Sequence, residues 1–173
     1  VEGSNFISLR WYPIEAMFGI LPLITGSLIV TLGAALIAVP FGIGTAVYIS
    51  EIAPRWMREI LKPLVELLGG LPSVVLGFLG ILIVSPFLRV FLDLPTGLTA
   101  FTGSLLLGGI AVPTVVSVAE DALDSVPRAY REGAWALGAT KWQTIWRVTL
   151  PAAKSGVLTA VMLGVGRAIG ETM

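Results

Sequence analysis

Arg167 and Glu171 are the residues whose types and spacing point most directly to chemistry. They lie four residues apart in the apolar run GVGRAIGETM, so an α-helix would place them one turn apart on one face, close enough to neutralise each other. An arginine fork can donate two hydrogen bonds to a tetrahedral oxyanion and keeps its charge at physiological pH. We therefore predict that Arg167 contacts an anion, while Glu171 positions the arginine side chain and prevents the anion from binding too tightly. The alternative is a pair that only locks this helix to a neighbour.

The composition of the 173 residues is that of a membrane protein. Hydrophobic residues make up 55% and charged residues only 13% of the chain, whereas about a quarter of a soluble domain is charged. In lipid each charge of the Arg167 and Glu171 pair is costly and marks a functional position. The formal net charge is zero, so no basic field exists to attract nucleic acid.

The chain contains no cysteine and no histidine. Disulfides, thiolate or imidazole metal sites and catalytic Cys/His pairs are therefore excluded, and neither a cofactor nor a membrane-embedded enzyme is expected. The sequence also lacks a G-x-x-x-x-G-K-[ST] phosphate-binding loop. Energy from ATP would have to come from a partner chain.

Four segments have the length and apolar content to cross about 30 Å of hydrocarbon, which takes roughly 20 helical residues. They cover residues 20–49, 72–91, 98–119 and 152–173. Pro40 is expected to kink the first of them, because its ring removes an N–H and crowds the preceding turn. The sequence thus predicts an all-α fold, a multi-span transmembrane helix bundle.

Lysine and arginine residues collect in the segments 51–71 and 120–151. Such residues accumulate on the cytoplasmic side of membranes, so both segments are predicted to face the cytoplasm. Residues 1–19 are then an extracytoplasmic loop or the end of a missing preceding span. We expect the chain to be an excerpt of a longer protein, with one further helix at each end.

The segment 51–71 alternates apolar and charged residues at helical spacing. It is interpreted either as an amphipathic helix lying at the membrane surface or as a simple connector. The acidic residues Glu120, Asp121 and Asp124 have a spacing that could hold a hard cation, but pairing of Asp124 with Arg128 is favoured.

Several hydroxyl residues of the predicted spans could line a polar path or bond to their own backbone. They are Ser73, Thr102, Ser104, Thr114 and Ser117. The sequence does not decide between these two uses.

Residues 125–151 form the most informative loop, DSVPRAYREGAWALGATKWQTIWRVTLP with its preceding Asp124. Ser125 and Pro127 are good helix-start residues, Gly138 is a natural left-handed stop, and Pro151 is expected to end the second helix. Thr140 and Gln143 have the spacing of a capping box. The loop should also expose an apolar patch, for docking or for the lipid headgroup region. Its members are Trp135, Leu137, Trp142, Ile145 and Trp146.

The spacing inside this loop resembles the EAA loop of binding-protein-dependent ABC importers. The matching positions are Glu132, Gly133, Ala134, Gly138, Val148, Leu150 and Pro151. The resemblance implies a MetI-like fold in which this loop is the coupling helix that docks on a cytoplasmic ATPase subunit. The implied coupling residues are Glu132, Gly133, Ala134, Gly138, Ala139, Thr140 and Trp142.

The stretches YISEIAPRWMREILKPLVELLGGLPSVVLGFLG, PTVVSVAEDALDSVP and GRAIGETM resemble the phosphate-specific permease family, PstC type. The resemblance implies an inner (plasma) membrane, multi-pass subunit of a phosphate importer, with Arg167 and Glu171 on the translocation path. The implied partners are a PstA-like second permease, a PstB-like ATPase dimer and a PstS-like phosphate-binding protein outside. A molybdate, tungstate or sulfate permease is the nearest alternative, and a passive anion channel a more distant one.

Overall fold

The computed structural model describes residues 11–12, 17–18, 20–93 and 95–172. A short antiparallel pair, β1 (Trp11–Tyr12) and β2 (Met17–Phe18), precedes the helices. The rest of the predicted 1–19 segment lies outside the described residues. The helices in chain order are α1 (Ile20–Val47), α2 (Arg55–Gly69), α3 (Ser73–Leu79), α4 (Ser85–Phe91), α5 (Ala100–Asp124), α6 (Arg128–Ala136), α7 (Lys141–Thr144), α8 (Leu150–Ala152) and α9 (Lys154–Thr172).

Three π-helical turns connect or extend these helices. Tyr48–Ile52 prolongs α1, Gly80–Val84 joins α3 to α4, and Ile145–Thr149 joins α7 to α8. The continuous helices Ile20–Ile52, Ser73–Phe91 and Ala100–Asp124 are each long and apolar enough to cross a membrane. A fourth crossing is counted if Lys141–Ala152 and Lys154–Thr172, which are bent by 74°, act as one span. The predicted all-α, multi-span bundle is confirmed.

One of the proline predictions differs from the structure. Pro40 lies inside α1, which continues past it to Val47, and its predicted kink stays a prediction. Pro151 does not end the last helix of the loop, since α8 runs on to Ala152. Pro151 is tolerated there because a residue in the first turn of a helix needs no N–H of its own. The chain changes direction just after α8, at Ala153.

Helix α5 is the centre of the bundle, and small residues set the register of its neighbours. A methyl group added at Gly33 would collide with Ser104, and one at Gly42 would lie 2.6 Å from Val115 Cγ1, so α1 runs parallel to α5. Added methyl groups at Gly156 and Gly164 would collide with Ala122 and Val115, so α9 runs antiparallel. Such small-residue contacts let membrane helices approach closely.

Helix α2 runs antiparallel along α5 instead of lying across the end of the bundle. Arg58 contacts Asp124, and Lys62 contacts Glu120. Gly69, eleven residues after Arg58, lies beside Pro113, about 16 Å further along the helix axis at 1.5 Å per residue. Of the two interpretations, the simple connector is wrong, because Arg55–Gly69 is an amphipathic helix whose polar side meets the acidic end of α5. Its position at the membrane surface stays a prediction.

Substitution of Gly164 tests the packing of α9 on α5. Gly164→Ala is expected to destabilise the protein by about 1–3 kcal/mol, the usual cost of overpacking, because the new methyl group would collide with Val115. Thermal unfolding in detergent measures the change. Gly44→Ala is the matched control, since nothing lies within 4 Å of an added methyl group there, and alanine favours the helix by about 1 kcal/mol. Equal stability of the two variants would contradict the described contact.

Substitution of Lys62 tests the docking of α2. Lys62→Met is expected to cost about 3 kcal/mol in unfolding free energy, because it leaves the buried carboxylate of Glu120 without its cation. Adding Glu120→Leu should recover most of the loss, since two apolar groups replace a buried pair at little cost. Arg55→Ala removes the exposed pair with Glu59 and should change stability by less than about 1 kcal/mol. A similar loss of unfolding free energy in Arg55→Ala would contradict the role assigned to the Lys62–Glu120 pair.

Candidate functional site

Arg167 lies half-buried on α9 and is held by two neutral groups. Its Nη1 donates to Thr114 Oγ1 at 2.7 Å, and its Nη2 donates to the Gly69 carbonyl at 3.2 Å. Gly69 is the last residue of α2, where helix carbonyls lack intrahelical partners and the helix dipole is negative. Three separate helices therefore position one guanidinium.

Glu171 does not pair with Arg167. Within the described part of the chain no ion pair joins the two residues, and the side chain of Glu171 is exposed. The predicted mutual neutralisation is thus wrong, because Thr114 and Gly69 are the groups that hold the guanidinium.

The depth of Arg167 follows from its partner. Thr114 lies ten residues before the end of α5, about 15 Å along the axis at 1.5 Å per residue. Arg167 therefore lies about 15 Å from the hairpin end of α5.

Among the other predicted hydroxyls, Thr102 donates to the Gly97 carbonyl at 2.7 Å and Ser104 to the Ala100 carbonyl at 2.8 Å. These two serve the backbone, so Thr114 is the hydroxyl that the structure brings to the arginine.

Six charged residues in the described part of the chain are buried or half-buried. They are Glu51, Arg58, Lys62, Glu120, Arg131 and Arg167. The first five take part in ion pairs, whereas Arg167 takes part in none. A shielded cation without a counter-ion is a candidate site for an anionic ligand.

The acidic residues at the end of α5 meet basic residues of α2. Asp124 accepts from Arg58 Nη2 at 2.9 Å and from Ser50 Oγ at 2.7 Å, so its predicted pairing with Arg128 is wrong. Glu120 and Asp121 both accept from Lys62 Nζ, at 2.7 and 2.9 Å. These bonds raise the pKa of Lys62 above its ordinary value, so the amine stays charged. No group of acidic side chains among the described residues could hold a metal ion.

The loop 125–151 folds as a hairpin of α6 and α7 around a glycine turn. Gly138 has φ +82°, the left-handed conformation predicted for it. Thr140 Oγ1 accepts from Gln143 N at 3.3 Å, and the Gln143 side chain accepts from Thr140 N at 2.9 Å. The predicted capping box is confirmed, and Thr140 has a structural use in it.

The predicted coupling residues are distributed over the outer side of this hairpin. Glu132, Gly133, Gly138, Thr140 and Trp142 are exposed, while Ala134 and Ala139 are half-buried. The apolar patch is also present, since Leu137 at the tip is 90% exposed and Trp135 and Trp146 are more than half exposed. Ile145 is the exception, because it is buried. An open groove of about 420 Å³ beside the tip is lined by Tyr130, Ala134, Leu137, Gly138, Ala139, Gln143, Arg147 and Val148.

Sequence reasoning missed how the hairpin is tied to the bundle. Arg131 on α6 pairs with Glu51 after α1, at 2.7 Å. The two residues are 80 positions apart, so no local spacing could have revealed the pair. The available signal was only that Glu51 lies two residues after the predicted span 20–49, and for Arg131 there was no such signal.

Comparisons with known proteins also indicate a membrane component of a transport system. Residues 38–173 match the family model described as binding-protein-dependent transport system inner membrane component. The probable ABC transporter permease protein YqgH of Bacillus subtilis (strain 168) is 46% identical over 96% of this chain and 54% of its own length. The phosphate transport system permease protein PstC of Xylella fastidiosa (strain Temecula1) is 35% identical, over 98% of this chain and 58% of its own. Phosphate transport system permease protein PstC 1 of Mycobacterium tuberculosis is 38% identical, over 94% and 54%.

A solved structure shares the fold. A chain of the MetNI methionine ABC transporter in inward-facing conformations aligns with a TM-score of 0.65 at 22% identity, over 87% of this chain and 68% of that one. This likeness confirms the predicted architecture. The chain spans little more than half the length of the curated relatives reported above.

The matched region includes α5, the hairpin and the part of α9 that carries Arg167. The family match confirms the predicted transport component, as opposed to an enzyme, and agrees with the membrane setting indicated by the apolar helices. We conclude that the chain belongs to the family of binding-protein-dependent transport system inner membrane components.

Proposed function

We propose that this chain is a permease subunit of an ATP-driven importer of inorganic phosphate, of the PstC type. The observation that carries the proposal is the shielded guanidinium of Arg167, which has only neutral partners in Thr114 and Gly69. A charge held by neutral groups remains available to an anion, and a fork of donors suits a tetrahedral oxyanion. The PstC-named relatives favour phosphate over molybdate, tungstate or sulfate.

In this proposal Arg167 contacts phosphate during its passage. Glu171 lies one turn further along α9 and is exposed, so it presents negative charge next to the arginine along the same path. Repulsion of the anion by Glu171 keeps binding at Arg167 weak enough for release. The subunit would work in the inner membrane as a multi-pass protein, with the hairpin end of the bundle in the cytoplasm.

The partners follow from the same proposal. A PstA-like permease would complete the path, and a PstS-like protein would deliver phosphate from outside. A PstB-like ATPase dimer would receive the hairpin through Glu132, Gly133, Ala134, Gly138, Ala139, Thr140 and Trp142. The exposed tip at Leu137 supports docking there, because a protruding apolar residue rimmed by charge is typical of an interface.

Phosphate uptake by the complete transporter tests the role of Arg167. Arg167→Lys is expected to lower uptake at least about tenfold, a loss of roughly 1.4 kcal/mol of transition-state binding, because one ammonium cannot replace the two-donor fork. Glu171→Gln should raise the affinity for phosphate while lowering the rate of transport. Arg89→Lys, an exposed substitution on α4, is the matched control and should leave uptake unchanged.

Two results would contradict this role. If both Arg167→Lys and Glu171→Gln take up phosphate at the wild-type rate, at equal membrane abundance, the two residues have only a structural role. Uptake that requires no ATPase subunit would indicate a channel instead of an importer. Competition by molybdate, tungstate and sulfate in the same assay establishes which oxyanion is preferred.

The glycine turn of the hairpin gives a second test. Gly138→Ala is expected to weaken binding of the ATPase subunit at least about fivefold, because alanine in the left-handed conformation costs roughly 1–2 kcal/mol. Gly26→Ala is the matched control, since it also adds one methyl group with nothing within 4 Å, but inside helix α1 and outside the proposed docking surface. Pull-down of the ATPase at graded concentrations measures both. Equal binding by Gly26→Ala and Gly138→Ala would argue against a conformational cause.

A further inference from the structure

Helix α6 has few contacts of its own with the rest of the bundle. It carries Glu132, Gly133 and Ala134 of the proposed coupling surface, yet none of its residues is buried. Within the described part of the chain, Arg131 is the only side chain of α6 that makes hydrogen bonds to other elements. Among the side chains of α6, Arg131 is therefore the one that ties this helix to the spans by hydrogen bonds.

The guanidinium of Arg131 binds three acceptors: one in the π-helical turn after α1, one in α5 and one in the linker between α5 and α6. Its Nε and Nη2 donate to Glu51 Oε1 at 3.1 and 2.7 Å. Its Nη2 also donates to the Leu123 carbonyl at 2.9 Å, and its Nη1 to the Val126 carbonyl at 2.8 Å. The side chains of Arg131 and Glu51 are only 14% and 8% exposed, so water screens this pair weakly.

The chemistry of these acceptors requires an arginine. Glu51 sits in the π-helical turn that ends α1, and Leu123 is the penultimate residue of α5. Both are C-terminal helix ends, where the helix dipole is negative and favours a cation. A planar fork can meet a carboxylate and two carbonyls in different directions, whereas a lysine is a point charge that cannot satisfy all three at once.

The contacts extend from this residue to the proposed anion path. Arg131 joins α6 directly to the ends of α1 and α5, and these two helices pack closely through Gly42 and Val115. Thr114, adjacent to Val115, binds Arg167. The hairpin is also connected covalently to α9, through α8, but the chain bends by 74° between these two helices.

We propose that Arg131 is a positioning residue, and that the Arg131–Glu51 pair is the strut that carries movement of α6 to α1 and α5. The inference rests on the proposed function, in which an ATPase moves the hairpin. It goes beyond that function by assigning the transmission to a residue outside the docking surface.

The complete transporter with Arg131→Gln tests the strut. We expect the ATPase subunit to bind and hydrolyse ATP at nearly the wild-type rate, while phosphate uptake falls at least about tenfold. The amount of ATP hydrolysed per phosphate then rises by the same factor. A residue needed only for folding would lower assembly, hydrolysis and uptake together, and an unchanged ratio of ATP to phosphate would overturn the proposal.

Conservative and exchanged variants separate the ion pair from the carbonyl contacts. Arg131→Lys keeps the charge opposite Glu51 and should recover part of the coupling. The exchange Glu51→Arg with Arg131→Glu should not recover it, because a carboxylate would then face the carbonyls of Leu123 and Val126. Arg128→Gln, exposed and one turn earlier on α6, is the matched control and should keep the wild-type ratio. Recovery by the exchange alone would overturn the role of the carbonyls.

A readout without phosphate distinguishes failure of the strut from failure of the proposed substrate. The 173 residues contain no cysteine, so Gly166→Cys on α9, which has room for the side chain, gives a single labelling site in a transporter otherwise free of cysteine. ATP should change the labelling rate with Arg131 present and have no effect with Arg131→Gln. A full ATP response in Arg131→Gln overturns the strut. A wild-type response without phosphate uptake overturns only the substrate, and an unresponsive wild type overturns both proposals.

Discussion

The cost of removing charge from water is the constraint on which the described structure depends. A buried charge without a counter-ion is strongly destabilising, and the shielded charges at the hairpin end are accordingly paired. Arg131 with Glu51, and Lys62 with Glu120, join segments that are far apart in the sequence. These pairs connect α1, α2, α5 and α6 at one end of the bundle, where the proposed coupling surface begins.

Arg167 is the exception to this pairing, and close packing of three helices makes the exception possible. Val115 touches the positions of both Gly42 on α1 and Gly164 on α9, so α5 is held between them. Thr114, the residue before Val115, therefore reaches Arg167 with a fixed geometry. Larger residues at the two glycines would separate the helices and move the hydroxyl away from the guanidinium. The small residues thus position a charged group that they do not contact.

The break between α2 and α3 lies beside this arginine. Backbone groups at such a break, away from water, need partners from the protein. Arg167 supplies one to the Gly69 carbonyl, so the same side chain stabilises an irregular segment and is proposed to contact the anion.

The sequence by itself determined the elements of this protein, because their signals are local. Runs of apolar residues predicted the helices, the glycine at position 138 predicted a left-handed turn, and Thr140 predicted a capping box that the structure contains. The EAA-like spacing and the GRAIGETM run predicted the family. Each of these signals lies within one continuous stretch of the chain.

Only the tertiary structure decided how those elements meet. The pattern of α2 fits a helix on the membrane surface equally well, and the pairing of Lys62 with Glu120, 58 positions away, sets it along α5. Arg167 and Glu171 have ideal spacing for a pair, yet Thr114 and Gly69 hold the arginine. Partners of charged side chains are chosen by the burial and close approach of whole helices, and single-sequence spacing contains no information about either.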